Sequence, residues 1–456
     1  MELYFCARNN SARLDEKLSC SDALGVTSMR TTGFTQSSIS RRLATIAAAA
    51  DQTFSSLKNR NYLHLWTGLM GGWMAMQMQQ VARGYLAYTL TGTAFTLGLV
   101  TLSMGIPRMF LSPLGGVLAD RFPKRKVVLV TQTMQALIAL AHALLLQFGL
   151  MRVWVLIALG FVQGTAFALN MPARQAFIPE IVGSGPQMAN AIALNNAGMN
   201  LTRVIGPSVA GLLLAMKAVG VKGVFYIMTL CYLWAVYATS RIDAGTTPAT
   251  STRKRVSQDV GAGFSYIVRN GKLLALMSLG FIPLAIGMPY QNLMTVFALK
   301  VMNIGSRGLG VLLTAAGVGG LLGSLLIAYL SDYRHKARLQ QLYGVAFGLL
   351  LVTFAFFSRA RMLPVVLPVL VLLGLVGDGY MSINSTLIMT NTDRAVYGRV
   401  MGVYMIIQSV RPVTVLPIAA LADRIGAPLT VGIAGAIVTV FIIAVATLYP
   451  RYREIG

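Results

Sequence analysis

Asp378 stands inside a long apolar segment, flanked by Gly374, Gly377 and Gly379. A carboxylate there could take up and release a proton, or it could hold two helices together by hydrogen bonds. Counted from the polar end of its segment near residue 388, it lies about 15 Å deep at 1.5 Å per residue, near the middle of a bilayer. An ionisable group at that depth is costly, so it faces protein or water and marks a functional site by default. Arg108 and Arg411 fall at the same depth in two other apolar segments and are its natural partners. Two guanidinium groups against one carboxylate leave a net positive cavity, which suits an anionic substrate. Either arginine could instead bond backbone carbonyls or extend its charged tip toward the interface. Arg83 sits nearer the outer end of its segment and fits that second reading better, while Arg203 lies in the outer half of its own. The first segment also carries Met70, Met74, Met76 and Met78 with Trp73, Gln77, Gln79 and Gln80. Adaptable methionine packing and a promiscuous binding wall would both account for that set. His142 could relay protons or simply bond a neighbour.

The elements that must position these groups are membrane helices. Of 456 residues, 55% are hydrophobic and 11% are charged, against about a quarter charged in soluble domains. That excludes an ordinary soluble enzyme, a disordered chain and a coiled coil. Uncharged runs long enough to span a bilayer recur. Turn signals and charge clusters bound twelve spans near 65–89, 95–118, 127–149, 153–173, 189–214, 221–240, 273–297, 308–330, 338–357, 364–388, 400–422 and 428–448. A β-barrel would instead alternate apolar and polar residues. The net charge of +24 raises nucleic acid as a partner, but the basic residues cluster at the ends of apolar runs and form no face of their own. Cys6, Cys20 and Cys231 are too few and scattered for a disulfide framework or a metal site. No Gly-Lys-Ser or Gly-Lys-Thr run offers a phosphate-binding loop. No cofactor, no metal and no catalytic residue is therefore expected.

Lysine and arginine counts set the orientation. With the N-terminus inside, the cytoplasmic segments hold 26 basic residues and the outer loops 8; without the N-terminal tail the ratio is still 18 to 8. Both termini are expected in the cytoplasm, on a multi-pass protein of the inner or plasma membrane. Residues 1–60 read as a poorly ordered cytoplasmic tail, or as an over-called start with Met29 the true one. Residues 61–242 and 269–450 read as two six-helix bundles. Residues 243–268 form the cytoplasmic linker between them, and 451–456 a C-terminal tail.

An internal echo supports a repeated unit. Arg108 precedes Asp120-Arg121 by the same 12 residues that separate Arg411 from Asp423-Arg424. Span eight ends in Ser331-Asp332, and span five holds Arg203 before Gly206-Pro207 and Gly211. An element recurring every third span suggests a three-helix unit used four times, as in secondary transporters built from inverted repeats.

The stretch Gly116-Val-Leu-Ala-Asp120-Arg121-Phe-Pro-Lys124-Arg125-Lys126 resembles the signature loop between helices two and three of the major facilitator superfamily, with Pro123 where a glycine is usual. Met171-Pro172-Ala173-Arg174-Gln175-Ala176 with Pro179-Glu180, Asn190-Ala191, Asn195, and Tyr397-Gly398-Arg399-Val400-Met401-Gly402 resemble the branch of enterobactin-exporter-like permeases and drug–proton antiporters. The likeness runs from about 57 to 450. The helix-five antiporter pattern has a glycine four residues before the Gly-Pro; this chain has Thr202 there and keeps Gly206, Pro207 and Gly211.

The resemblance implies an all-α membrane protein of two pseudo-symmetric six-helix bundles around a cavity that opens alternately to each side. It places Asp120 at the N-terminus of helix eleven near Arg399, where an acid suits the helix dipole. Gly116, Asp120, Arg121, Arg125 and Arg399 would form a conformational switch, with Arg121, Lys124, Arg125 and Lys126 also touching acidic lipid headgroups. Asp378 would carry the coupling proton, and Arg108, Arg411, Arg83 and Trp73 would line the substrate cavity. The expected function is proton-coupled export of small, anionic, siderophore- or drug-like molecules by a monomer whose partners are its substrate, protons and lipids. An importer of the same fold is the alternative. A non-transporting intramembrane enzyme would need a nucleophile–base or metal cluster that one acid and one histidine do not supply.

Overall fold

In the computed structural model, the described residues are 55–183, 185–243, 256–330, 333–393 and 396–448, and all fall in one compact unit. Residues 1–54 of the tail expected over 1–60, residues 244–255 of the linker, the C-terminal tail expected over 451–456, and the surroundings of Gly116 and the Asp120 side chain lie outside them; residues 55–60 of the expected tail instead form a short helical turn, Ser55–Lys58, and the start of α1. The long helices are α1 Arg60–Thr91, α2 Ala94–Arg121, α3 Lys124–Gln147, α4 Val153–Val182, α5 Pro186–Ala215 and α6 Gly220–Ser240. Then follow α7 Gly271–Val301, α8 Gly305–Tyr329, α9 Lys336–Arg359, α10 Leu363–Thr390, α11 Tyr397–Ile425 and α12 Ala427–Leu448. Ten of the described helices are long and apolar enough to cross a membrane. α1 and α5, of 32 and 30 residues, have the length but not the hydropathy. They carry Gln77, Gln79, Gln80 and Arg83, and Asn190, Asn195, Asn196, Asn200 and Arg203, respectively.

Local sequence sets the helix ends. Asn59 caps α1 by accepting from the N–H groups of Asn61 and Tyr62 at 3.0 and 3.3 Å. Gly92 closes its other end at φ 71°, where a side chain would be strained. Asn270 caps α7 in the same way. Inside α7, Pro283 lacks an N–H, and the helix widens into a π turn over Pro283–Gly287 and again over Phe297–Val301. In α11, Pro412 breaks the ladder, and the helix divides into Tyr397–Ser409 and Arg411–Ile425. Both irregularities sit beside the site described below.

Two expectations need correction. Span four was expected to stop near 173, with Arg174 in a loop. Instead α4 runs on to Val182 with Pro172 and Pro179 inside it, and Arg174 is buried. Neighbouring helices can re-satisfy the backbone groups that a proline frees. The stretch 243–268 was expected to be a linker between the bundles, yet Val256–Arg269 is an amphipathic helix that packs on the first half of α11. Its Tyr266 hydroxyl donates to Asp393 Oδ2 at 2.6 Å, and that bond raises the pKa of the phenol.

The second half of α11 packs on α2, and α5 packs on α8. Glycines make these contacts close. A side chain at Gly98 would run into Leu416, one at Gly105 into Pro412, and one at Gly211 into Gly310. Small residues let membrane helices approach where no hydrophobic force between them exists. At this end Asp423, on the last turn of α11, accepts from the N–H groups of Ala94 and Phe95 in the first turn of α2, each at 2.7 Å. At the opposite end Lys124 pairs with Glu180 at 2.9 Å, tying the start of α3 to α4.

Candidate functional site

One stripe of α1, at helical spacing, supplies Trp73, Met76, Gln77 and Gln80 to a pair of cavities. One, of about 300 Å³, lies toward α2 and α11; the other, of about 400 Å³, reaches α5 and α10. Both are lined by Met76, Gln77, Gln80, Gln291 and Arg411, so they are lobes of one space. Arg83 and Arg108 line the first lobe, and Trp73, Arg203 and Asp378 the second.

Asp378 is paired, but not with the expected arginines. Arg203 Nη1 lies 2.6 Å from Asp378 Oδ2, linking α5 to α10. The side chains are 36% and 18% exposed respectively, so the pair faces the cavity and is only partly screened by water. Gly320 of α8 makes room for it: a Cβ there would collide with Asp378 Oδ2 and stand 3.6 Å from Arg203 Cζ. Arg411 Nη2 donates instead to Gln291 Oε1 at 2.8 Å. Arg108 lies over the Phe167 ring at 4.2 Å, a cation–π contact. Depth along one helix does not fix which neighbour a side chain meets, and counting residues ranked Arg203 too far out.

Arg83 is 4% exposed. Its guanidinium donates to Leu156 O at 3.4 Å and contacts Met104 Sδ at 3.4 Å, which is the carbonyl-bonding reading. It still borders the cavity, and its Nε has no hydrogen-bond partner. Beside it, Gln79 and Gln163 exchange amide hydrogen bonds between α1 and α4. Trp73 supports Arg174, whose Cζ lies 4.7 Å from the indole ring. His142 lines neither lobe; it bonds Ile138 O at 2.8 Å and stacks on Phe225 at 4.8 Å. Gly206 packs against Gln77, and Gly211 against α8, so the helix-five motif serves helix contact. Arg125 donates to the carbonyls of Thr239 and Ser240 at the end of α6. Arg121 and Arg399 are both exposed.

Sequence reading missed Gln291, Asn292, Thr295, Asn200 and Gln408. Their signal was present: uncharged polar residues interrupting runs otherwise fit for lipid. Among the described residues no group of histidine, cysteine and carboxylate side chains could hold a metal ion. The lined space can bind a small molecule between hydrogen-bonding amides, four guanidinium groups and a single carboxylate.

Residues 51–454 match the family model described as transmembrane secretion effector. The chain is 24% identical to a staphyloferrin A transporter of Staphylococcus aureus over 80% of this chain and 89% of that one. It is 24% identical to the multidrug efflux pump Tap of Mycolicibacterium fortuitum, over 82% and 92%. Among solved structures, the nucleoside transporter NupG matches with a TM-score of 0.70 at 14% identity, covering 85% of this chain and 100% of that one.

Proposed function

This chain belongs to the transmembrane secretion effector family of the major facilitator superfamily, and from that premise we propose that it exports small anionic molecules by alternating access, coupled to protons through Asp378. The carrying observation is the central space itself, whose two lobes are lined by Arg83, Arg108, Arg203 and Arg411 but by one carboxylate, Asp378. An excess of fixed positive charge in a low-dielectric cavity favours anions. For an anion, an interior-negative membrane potential also favours exit, by about 2.3 kcal/mol per charge per 100 mV. Efflux proteins and a siderophore transporter among the relatives support the direction and the size class.

On this reading the helices form twelve spans in two six-helix bundles with both termini cytoplasmic, and the resting form is open to the cytoplasm. The tight α2–α11 and α5–α8 contacts lie at the outer end, and the inner half of α11 is widely exposed, with Met405 at 59%. Asp378 couples by charge. While ionised it holds Arg203 across the two halves; a proton cancels that attraction and frees the halves to move. The direct test is transport of candidate anions in reconstituted vesicles under an imposed pH gradient. Accumulation that ignores the gradient would refute proton coupling.

Arg108→Gln and Arg411→Gln should each weaken anionic substrates by roughly tenfold or more, the worth of a charge-assisted bond of about 1.5–3 kcal/mol, and neutral substrates far less. Competition binding with a charged and an uncharged analogue reads the difference. Equal losses for both would assign the arginines to helix packing.

Asp120→Asn should shift the resting population further toward the inward-open form and slow turnover, with little change in affinity from the inside. A carboxylate at a helix N-terminus is worth up to about 1 kcal/mol at a surface. Cysteine labelling of a cavity residue from the cytoplasmic side should rise in the variant. Unchanged labelling with normal turnover would reduce Asp120 to a loop charge.

A further inference from the structure

We infer that Asp423 is a latch that holds the outer ends of α2 and α11 together and must release before that side opens; "outer" rests on the orientation proposed above. Both of its carboxylate oxygens are engaged, one on the N–H of Ala94 and one on that of Phe95, at 2.7 Å each. These are two of the N–H groups that a helix leaves without an internal partner. The residue placed to satisfy them locally is Thr93, and its side chain makes no capping bond; its hydroxyl bonds Thr91 and Thr96 instead. The cap of α2 is therefore supplied by a helix 329 positions away in sequence.

The contact exists only while the two helix ends touch. Just below it, Gly98 and Gly105 let α2 lie against Leu416 and Pro412. Separation of the ends breaks both charge-assisted bonds at once. Asp423 is exposed at its position, so water can solvate the released carboxylate. A bond that is cheap to release and present in one state alone biases the balance between states without locking it.

The sequence repeats the spacing that places this carboxylate. Asp120 follows Arg108 on α2 by the same 12 residues as Asp423 follows Arg411 on α11. The family motif directs Asp120 to the start of α11, just as Asp423 is found on the start of α2. Val396, at the N-cap position of α11, makes no capping bond with its own side chain.

The experiment uses the full chain in lipid nanodiscs, with Cys6, Cys20 and Cys231 replaced by serine. Spin labels at Leu150 and Met362, which are exposed in the outer loops of the two halves, report the distance across the outer side. Asp423→Ala should raise the long-distance population about two- to fivefold, the factor that a carboxylate at a helix N-terminus carries at a solvated site. Arg424→Gln, which alters the neighbouring charge, should leave it unchanged. Should the alanine variant fail to fold, Asp423→Ser carries the same expectation, because its side chain is shorter and uncharged and so loses both charge-assisted bonds. A distance distribution identical to the parent's would overturn the latch, and so would an equal shift from Arg424→Gln. The distance does not depend on which side faces the cytoplasm. An inverted topology would leave that result intact and would show separately in intact cells, as failure of an impermeant reagent added outside to label a cysteine at Leu150.

Discussion

Asp378→Asn is expected to bring substrate accumulation against a gradient down to simple equilibration, while exchange of substrate across the membrane continues. The substitution keeps the shape and one acceptor oxygen, so Arg203 retains a hydrogen bond. It removes the charge that a proton would otherwise cancel, so the variant behaves as though always discharged. Exchange needs no net proton movement and should survive; net uphill transport should not. The stability cost is modest. A fully desolvated charge pair would cost several kcal/mol to break, but Arg203 and Asp378 are 36% and 18% exposed, and screening brings the loss to about 1 kcal/mol. Asp378→Asn combined with Arg203→Gln removes both charges and should recover that stability without restoring coupling. Measuring gradient-driven uptake, counterflow and thermal stability on the parent and these two variants separates the roles. Uphill transport by Asp378→Asn at the parental level would leave the pair a purely structural link between α5 and α10.

Gly374→Val should abolish folding or leave a small, unstable fraction. A Cβ at Gly374 would run into the carbonyl oxygen of Ala316 and the backbone nitrogen of Gly320, while one at Gly319 or Gly323 of α8 would strike the backbone of Val371 or Leu375. The obstacle is backbone on both helices, which cannot rotate away as a side chain can. Overpacking of adaptable sites costs about 1–3 kcal/mol, and a blocked backbone crossing exceeds that. Lipid offers no hydrophobic force to push the helices back together, so packing carries the association. Gly72→Val is the matched control, because nothing lies within 4 Å of a Cβ there. Size-exclusion profiles and melting in detergent compare the two. If Gly374→Val stays as monodisperse and as thermostable as Gly72→Val, α8 and α10 do not cross as closely as their glycines require. The same crossing positions the ion pair, since Gly320 borders both Asp378 and Arg203. Gly320→Ala should therefore disturb coupling before it disturbs folding.

How far the sequence reaches depends on what kind of fact is asked. Spans were legible because transfer to lipid is a property of composition summed over about 20 residues. The expected segments at 221–240 and 428–448 match α6 and α12 to within a residue. α4 overran its expected end near 173 and carries Pro172, Arg174 and Pro179 inside it, which only neighbouring helices make tolerable. Depth was only partly legible from a fixed rise per residue: Arg108, Arg411 and Asp378 all border one central space, but the same count ranked Arg203, the partner of Asp378, too far out. The family was legible from the motif around Asp120, whose residues stand close together in the chain.

Partnership was not legible. Asp378 meets Arg203 rather than Arg108 or Arg411 because α5, α8 and α10 cross where Gly320, Gly374 and Gly211 remove the side chains that would hold them apart. Gln291 enters the site because Pro283 widens the turns of α7 before it. Asp423 caps a helix 329 residues upstream. Rise per residue gives a position along one axis. Which face a side chain presents to which neighbour depends on the rotation and crossing of two helices, and those are set by packing between segments that are remote in the chain.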